Sequence, residues 1–186
     1  EPLVVKLGGS LEVHVPALAA VFLRQSRPIL IVPGGGRFAD AVRNKTLNDD
    51  DAHWTAIHAM DRFGSILAAS GLPSTERLAI PPKPTILLPY HCCRKADPLP
   101  HSWDITSDTI AAWAAEKLRT DLLVLKSVDG IPIDGRIDRT IAKNIETDVV
   151  DPCFIPYILE HGIRATVVNG TLPDRVAAFL RGEAVP

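Results

Sequence analysis

The sequence predicts an α/β protein in which helices cover both faces of a mostly parallel central sheet, a three-layer αβα sandwich. Strand-like and helix-like segments alternate along most of the 186 residues, which is the pattern of βαβ units. The strand-like segments are almost wholly apolar, as expected for strands that are buried on both faces. Two of them end in glycine turns, Gly8-Gly9 and Gly34-Gly35-Gly36, where bare backbone can approach a ligand.

In the first half of the chain, short apolar runs and helical periodicity define the elements in turn. The strands are predicted at Leu3 to Leu7, Ile29 to Val32 and Thr85 to Leu88, and the helices at Val15 to Gln25, Phe38 to Lys45 and Asp51 to Ser70. The third helix has the clearest start, because Asn48 and the acidic residues after it suit the free N–H groups of a helix N-terminus. We expect it to end at Gly71, with Ile57, Met60 and Leu67 facing the sheet.

A proline-rich stretch, 73–100, interrupts the alternation at mid-chain. It holds seven of the sixteen prolines, and proline fixes φ and removes a backbone donor. We therefore expect a rigid irregular connection around a single strand. His91-Cys92-Cys93-Arg94-Lys95 follows that strand directly, at the edge where parallel sheets form their ligand crevices. This group fits an anion site and a solvated loop equally well.

The second half of the chain returns to the alternating pattern. Strands are predicted at Leu122 to Leu125 and Thr166 to Asn169, and helices at Ser107 to Leu118 and Asp174 to Arg181. A further helix before Gly162 is expected to start at Pro156, because proline is tolerated only in the first turn of a helix.

Composition narrows the functional classes. The chain has 20 basic and 22 acidic residues and a net charge of −2, so any anion site must be assembled locally, and neither nucleic acid nor a membrane is an expected partner. No apolar run approaches the roughly 20 residues of a spanning helix, and a signal-peptide pattern is missing, so a cytoplasmic protein is expected. Three cysteines, two of them adjacent, predict reduced thiols. The length predicts one domain over 1–186.

The first ten residues carry chemistry suited to phosphate. An apolar strand runs into Lys6-Leu7-Gly8-Gly9-Ser10, where backbone N–H groups can close on phosphate oxygens while the ammonium group offsets their charge. The spacing is neither that of a P-loop nor that of a dinucleotide-binding turn. Taken alone, Lys6 also fits a solvent-facing lysine and the glycines an ordinary turn.

Four segments in order carry a resemblance to a known family. They are Lys6-Leu7-Gly8-Gly9-Ser10, Pro33-Gly34-Gly35-Gly36, Ser102-Trp103-Asp104-Ile105-Thr106-Ser107-Asp108 and Lys126-Ser127-Val128-Asp129-Gly130. Together they resemble the amino acid kinase superfamily, which includes acetylglutamate kinase, aspartokinase, uridylate kinase and isopentenyl phosphate kinase. The resemblance covers almost the whole chain. It implies a kinase with an acceptor-side lobe at about 1–100 and a nucleotide-side lobe at 101–186.

The resemblance also implies a role for each matching residue. The catalytic residues would be Lys6, which touches the transferring phosphoryl group, Asp108, which positions the lysines and assists in placing magnesium, and Lys143, which lacks the family's preceding glycine-methionine motif. The nucleotide and its phosphates would be held by Gly8, Gly9, Ser10, Lys126, Asp129 and Gly130. The acceptor would be held by Gly34, Gly35, Gly36, Arg37 and Ser107. ATP and Mg²⁺ are the implied cofactors, without a dedicated protein metal site, and a homo-oligomer is implied. Read alone, Asp108 also fits a helix cap and Asp129-Gly130 a turn.

The segment from Asp97 to Asp108 is most similar to a compact branch of the superfamily. That branch occurs in methanogens and methylotrophic bacteria, and its best understood member is similar to a methanofuran-biosynthesis kinase that converts an aminomethylfuranmethyl phosphate to its diphosphate. We therefore expect ATP-dependent phosphorylation of a small phosphate monoester. Such an acceptor agrees with the lack of an obvious general base, because a phosphate dianion is already ionised. The candidate acceptor-side cations are Arg37, Arg43, Arg62, Arg94 and Lys95.

Two alternatives remain open at this stage. One is a kinase that acts on a carboxylate or a nucleoside monophosphate, and the other is a nucleotide- or anion-binding storage protein without turnover. Structural roles are expected for His53 and His58, whose spacing of five does not suit a metal pair. Trp103 and Trp113 are expected to pack against the sheet, with the wall of the acceptor pocket as the alternative for Trp103.

Overall fold

A six-stranded parallel sheet forms the centre of the computed structural model, which describes residues 1–133 and 136–183. Its strands are β1 (Leu3–Leu7), β2 (Ile29–Pro33), β3 (Ser74–Thr75), β4 (Thr85–Leu87), β5 (Asp121–Lys126) and β8 (Ala165–Asn169), while β6 (Ile131–Ile133) and β7 (Arg136–Asp138) form a separate antiparallel pair. The order across the sheet is β3-β4-β2-β1-β5-β8, and all neighbours are parallel. Strand β1 pairs with β2 on one side and β5 on the other, so the carboxyl ends of these three strands lie side by side.

Helices cover both faces of the sheet, which confirms the predicted three-layer architecture. They are a 3₁₀ helix (Gly9–His14), α1 (Val15–Leu23), α2 (Gly36–Arg43), α3 (Asp49–Ala68), α4 (Tyr90–Ala96), α5 (Ser107–Leu118), α6 (Phe154–Glu160) and α7 (Pro173–Leu180). Side chains alternate along each strand, so Val4 joins an apolar layer with Trp113 and Phe154, while Val5 joins the opposite layer with Phe22 and Phe63. No helix in the described residues is both long and apolar enough to cross a bilayer.

The five predicted strands are all present, as are the five helices for which both ends were predicted. Their observed ends differ from the predicted ones by at most two residues. The helix expected to begin at Pro156 begins at Phe154 instead. This start is compatible with proline because Pro156 is the third helical residue, and the N–H groups of the first turn have no partner within the helix.

The proline-rich stretch is more regular than predicted. It contains two strands, β3 and β4, and the polar group from His91 to Lys95 lies on helix α4, not in an irregular connection. The start of α4 is held by a long-range contact, since the Tyr90 N–H donates to Asp61 Oδ1 on α3 at 3.0 Å. Nothing in the local sequence indicates this cap, which comes from 29 residues away. The β6–β7 pair and the 3₁₀ helix were likewise not predicted.

Candidate active site

The two glycine turns that end β1 and β2 touch each other through their backbones. The Gly34 N–H donates to Leu7 O at 2.8 Å. A Cβ atom on Gly9 would lie 2.3 Å from the Gly36 Cα atom, and Gly36 itself has a φ of +53°. Only glycine fits at these positions, so the two turns form one continuous backbone junction.

Several residues at this junction begin helices, so their N–H groups lie in a first helical turn. Gly9 and Ser10 open the 3₁₀ helix, and Gly36 and Arg37 open α2. The first N–H groups of a helix have no partner within it and lie at the positive end of its dipole, which favours anions. The Gly8 N–H differs, because it donates to Leu125 O at 3.1 Å. Its backbone donor is therefore engaged in the protein, while the implied phosphate role fits Gly9 and Ser10.

Three charged side chains meet beside the junction. The Lys6 Nζ atom lies 2.7 Å from Asp108 Oδ1, and the Lys126 Nζ atom lies 2.7 Å from Asp108 Oδ2. The side chains of Lys6 and Asp108 are each only 4% exposed. Lys6 comes from β1, Lys126 from β5 and Asp108 from the first turn of α5, so the central strands and one helix build this cluster. It holds two cations and one anion, an excess of positive charge suited to an anionic ligand.

The charges shift the pKa values of this cluster. Burial opposes ionisation of Asp108, but the ammonium groups of Lys6 and Lys126 outweigh it and hold the pKa of Asp108 below its ordinary value. Burial and repulsion from Lys6 lower the pKa of Lys126 to about 8, although Asp108 acts in the opposite direction. Asp108 is therefore ionised at neutral pH, and the pKa of Lys126 lies about one unit above neutral pH.

Asp151 fixes the start of α5 from a distant part of the chain. Its carboxylate accepts hydrogen bonds from the backbone N–H and hydroxyl groups of Thr106 and of Thr109, at 2.5 to 3.0 Å. Its own backbone N–H donates to Asp108 Oδ2 at 3.2 Å. This buried residue was missed from the sequence. Its contact with α5 spans more than 40 residues.

A cavity of about 380 Å³ opens from this charged cluster. Its walls come from both glycine turns, from α2 and α3, from the segment before α5 and from α5 itself. At one end lie Lys6, Asp108, Lys126 and the glycine turns, while Ile57, Met60, Ile105 and Ile110 give the wall apolar surface. The cavity therefore combines a cationic, glycine-rich part with apolar and polar wall residues.

The cavity brings most of the predicted site residues together. The predicted residues that line the cavity are Lys6, Gly8, Gly9, Ser10, Gly35, Gly36, Arg37, Ser107, Asp108 and Lys126. Gly34 lies beneath the wall, where a Cβ atom would approach the Gly9 nitrogen to 2.7 Å. Lys126, predicted as a nucleotide contact, is the lysine that joins Lys6 on Asp108.

Besides Gly34, three predicted residues do not line the cavity. Asp129 accepts a hydrogen bond from Asn169 Nδ2 at 3.1 Å and pairs with Arg175, and Gly130 follows it in the turn after β5. Lys143 is exposed and lines a second cavity, of about 120 Å³, next to the β6–β7 pair.

Some of the proposed acceptor cations and one of the two tryptophans with a predicted role line the large cavity, and the others do not. Arg37 and Arg43 line the large cavity, whereas Arg62, Arg94 and Lys95 do not. Trp103 also lines it and is 38% exposed, with the Arg43 guanidinium 4.9 Å from its ring centre. The preferred expectation that Trp103 packs against the sheet is therefore wrong, because Trp103 lies on the wall of the cavity, and its place in an acceptor pocket stays a prediction. Trp113 is buried in the core as predicted.

Comparison with known proteins gives the chain its family. No protein-family model matches it. The chain is 32% identical over 201 residues to the (5-(aminomethyl)furan-3-yl)methyl phosphate kinase of Methanocaldococcus jannaschii, a match that covers 97% of this chain and 93% of that relative.

Solved structures of amino acid kinases share the fold. The uridylate kinase from Archaeoglobus fulgidus has a TM-score of 0.69 at 18% identity, covering 98% of this chain and 97% of that one. An isopentenyl phosphate kinase has a TM-score of 0.64 at 15% identity, covering 100% and 98% of the two chains. The UMP kinase from Bacillus anthracis has a TM-score of 0.62 at 15% identity, covering 99% and 93%. The protein is therefore a kinase of the amino acid kinase superfamily and belongs to the family of the Methanocaldococcus jannaschii aminomethylfuranmethyl phosphate kinase.

Proposed function

We propose that this kinase transfers the terminal phosphoryl group of ATP to an aminomethylfuranmethyl phosphate, giving the diphosphate, in the biosynthesis of methanofuran-type C1 cofactors. The observation that carries this proposal is the Lys6–Asp108–Lys126 cluster at the backbone junction of two glycine turns, at one end of the large cavity. The identity of the Methanocaldococcus jannaschii relative supports the choice of acceptor.

The chemistry required of this cluster is electrostatic. Phosphoryl transfer proceeds through a loose transition state with charge on the peripheral oxygens, so positioned cations and N–H groups supply most of the catalysis. In the proposal, the Lys6 and Lys126 ammonium groups offset that charge and Asp108 holds both of them in place. No general base is needed, because the attacking group is an ionised phosphate oxygen. Asp108, with each oxygen 2.7 Å from an ammonium nitrogen, suits positioning and not proton removal.

In this proposal, one helix start binds the phosphates of the nucleotide and the other binds the phosphate of the acceptor. The Gly9 and Ser10 N–H groups would hold the nucleotide phosphates, and those of Gly36 and Arg37 the acceptor phosphate. The acceptor would lie on the side of residues 1–100 and the nucleotide on the side of 101–186. The rest of the nucleotide would extend beyond the cavity, toward Asp129, Gly130 and Lys143.

Magnesium enters the proposal with the ATP phosphates. Both oxygens of Asp108 already pair with lysines, and the described residues include no group of three or more His, Cys, Asp or Glu side chains placed to hold a metal ion. Mg²⁺ commonly keeps several waters and binds substrate phosphates with few protein ligands. The donor set thus suits Mg²⁺ carried by phosphates and water, where it would offset their negative charge.

A competition among acceptors tests the proposal. The purified chain would be given ATP, Mg²⁺ and, in turn, aminomethylfuranmethyl phosphate, UMP, isopentenyl phosphate and a carboxylate acceptor. Phosphorus NMR would identify the product. We expect diphosphate formation with a kcat/KM at least about tenfold higher for the furan than for the others, equivalent to about 1.4 kcal/mol of discrimination. A preference for UMP, isopentenyl phosphate or the carboxylate would contradict the proposal, and Lys6→Ala serves as the inactive control.

We also propose a homo-oligomer in the cytoplasm. Support for association comes from the resemblance to the amino acid kinases, which implies a homo-oligomer. Light scattering on the eluted protein would give its mass, and a monomer at micromolar concentration would contradict the oligomer.

A further inference from the structure

His53 is a buried polar side chain that makes no hydrogen bond to any other described residue. It lies on α3, is 8% exposed and lines the large cavity. Its ring stacks on that of His101, with centroids 4.2 Å apart and an angle of 19° between the planes, which fixes its orientation. Buried polar groups normally have partners. An unpaired imidazole on a cavity wall is therefore placed to take its hydrogen bond from a ligand.

Asp49 lies one helical turn before His53 and lines the same cavity. Within the part of the chain that the structure describes, its carboxylate has no ion pair or hydrogen bond. Its two neighbours differ, since Asp50 pairs with His101 at 2.5 Å and Asp51 accepts a hydrogen bond from Asn48 at 2.8 Å. Asp49 is exposed and thus presents to the cavity a carboxylate that has no side-chain partner among the described residues.

These two residues are separated from the phosphoryl end by an apolar interval. Helix α3 passes the glycine junction at Phe63, whose ring would be 3.6 Å from a Cβ atom on Gly36. Met60, Ile57 and Ala56 follow toward the N-terminus on the cavity wall. From Met60 to His53 the helix rises about 10 Å. A five-membered ring with a substituent at each end can span such a length.

The charge states of the two residues suit a cation. Burial and the neighbouring His101 lower the pKa of His53 to about 4, so its imidazole is neutral near pH 7. A neutral imidazole keeps one nitrogen that accepts a hydrogen bond. An ammonium group beside His53 and Asp49 would find one neutral acceptor and one opposite charge, while the neighbouring His101 is paired with Asp50 and Asp97. A hydroxyl in the same place would gain only the hydrogen bond.

We propose that Asp49 and His53 bind the amino group at the end of the acceptor opposite its phosphate, and so select a cationic acceptor over a neutral one. This inference rests on the proposed function, because it assigns the residues that distinguish its substrate class. Lys6 and Lys126 attract one end of the acceptor, while Asp49 and His53 attract the other. The acceptor is thereby oriented as well as bound.

Two acceptors of the same shape test the inference. Aminomethylfuranmethyl phosphate and its hydroxymethyl counterpart would be compared for binding, by calorimetry with a non-hydrolysable ATP analogue, and for kcat/KM. The variants are Asp49→Asn, His53→Phe, which keeps a ring against His101, and the control Asp51→Asn. The control removes the same charge from the same turn of α3, outside the cavity wall, and keeps an oxygen for Asn48.

We expect Asp49→Asn to weaken binding of the amino acceptor at least about tenfold while changing that of the hydroxymethyl compound by less than about twofold. His53→Phe should also reduce the preference for the amino compound, and Asp51→Asn should not. The ratio between the acceptors is insensitive to a partly unfolded sample, and thermal melting checks the fold of each variant.

The outcomes separate the inference from the proposed function. Equal effects on both acceptors in Asp49→Asn, or no effect, would overturn the inference, while diphosphate formation would leave the proposed function standing. Conversely, binding that depends on Asp49 and favours the amino compound, without diphosphate formation, would overturn the proposed reaction and support the binding site. Failure to bind either acceptor would overturn both.

Discussion

Lys126 is a cation whose charge depends on pH in the range where enzymes work. Its pKa is lowered to about 8 by burial and by repulsion from Lys6. Raising the pH through about 8 removes the proton and with it one of two charges available to the phosphates, so kcat/KM for ATP should fall on the alkaline side. Bound phosphates raise the pKa of a nearby ammonium group, and the fall in kcat should therefore lie at higher pH.

The pH profile of Lys126→Arg provides the matched control for this prediction. Guanidinium stays protonated throughout, so whatever activity remains should lack the alkaline fall. A flat wild-type profile to about pH 10, or the same fall in Lys126→Arg, would assign the ionisation to another group.

Asp108 contacts both lysines and, in the proposed mechanism, acts only through them. Replacing it by asparagine keeps the size but removes the charge that holds Lys6 and Lys126 at 2.7 Å. We expect kcat to drop by about 100-fold or more, while the dissociation constant for ATP changes much less. Steady-state kinetics and equilibrium binding would be compared directly. Weakened ATP binding at normal kcat would instead make Asp108 a nucleotide ligand.

At the scale of elements, the start of α5 depends on a side chain far away in sequence. Four donors from Thr106 and Thr109 converge on the buried Asp151 carboxylate. Asp151→Ala should lower the free energy of unfolding by about 2 to 3 kcal/mol, because hydrogen bonds to a charged group are lost and buried donors remain unpaired. It should also lower kcat, since Asp108 lies in the turn that this contact fixes.

Urea unfolding and kinetics together check this prediction. Asp148→Ala offers a control nearby, because Asp148 is exposed and its side chain makes no hydrogen bond or ion pair with any other described residue. Unchanged stability in Asp151→Ala would show that water replaces the lost contacts without cost. A loss of stability with normal kcat would separate the helix start from catalysis.

The elements that sequence periodicity predicts are those whose causes are local. Apolar runs and helical spacing placed five strands and five helices within two residues of their observed ends. Helix α4 was missed because its cap, the Asp61 carboxylate, comes from α3. The β6–β7 pair was missed because neither strand is an apolar run, since β6 contains Pro132 and β7 is an exposed strand with Arg136 and Asp138 at its ends.

The residues of the candidate site also differ in whether a local signal in the sequence indicates them. The glycine turns and Lys6 could be identified because they lie at the ends of predicted strands, and Asp108 because its segment resembles the amino acid kinases. Lys126 could be placed at a strand end, but not on Asp108, because only the pairing of β1 with β5 brings the two lysines together. The contribution of Asp151 depends on a contact across more than 40 residues, and no local signal indicates it.

At the scale of the whole molecule, the Lys6–Asp108–Lys126 cluster supports phosphoryl transfer in the proposed mechanism but is expected to lower the stability of the fold. One buried and one half-buried ammonium group share one carboxylate, and the lowered pKa of Lys126 shows that its charged form is disfavoured in the fold. Lys126→Met should therefore abolish transfer while leaving the free energy of unfolding at pH 7 unchanged or higher. Chemical unfolding with a matched activity assay would measure both. A loss of more than about 1 kcal/mol in stability would show that the Asp108 pair outweighs the cost of burying the second charge.

Helices α2 and α3, which form one wall of the cavity, belong to a single uninterrupted segment, 36–68, between two strands of the sheet. Lys6, Asp108 and Lys126 all lie outside that segment. Mutations confined to one short stretch of the gene can therefore reshape the wall without touching the charged cluster. A fold arranged in this way allows acceptor specificity to change during evolution while the phosphoryl-transfer chemistry is retained.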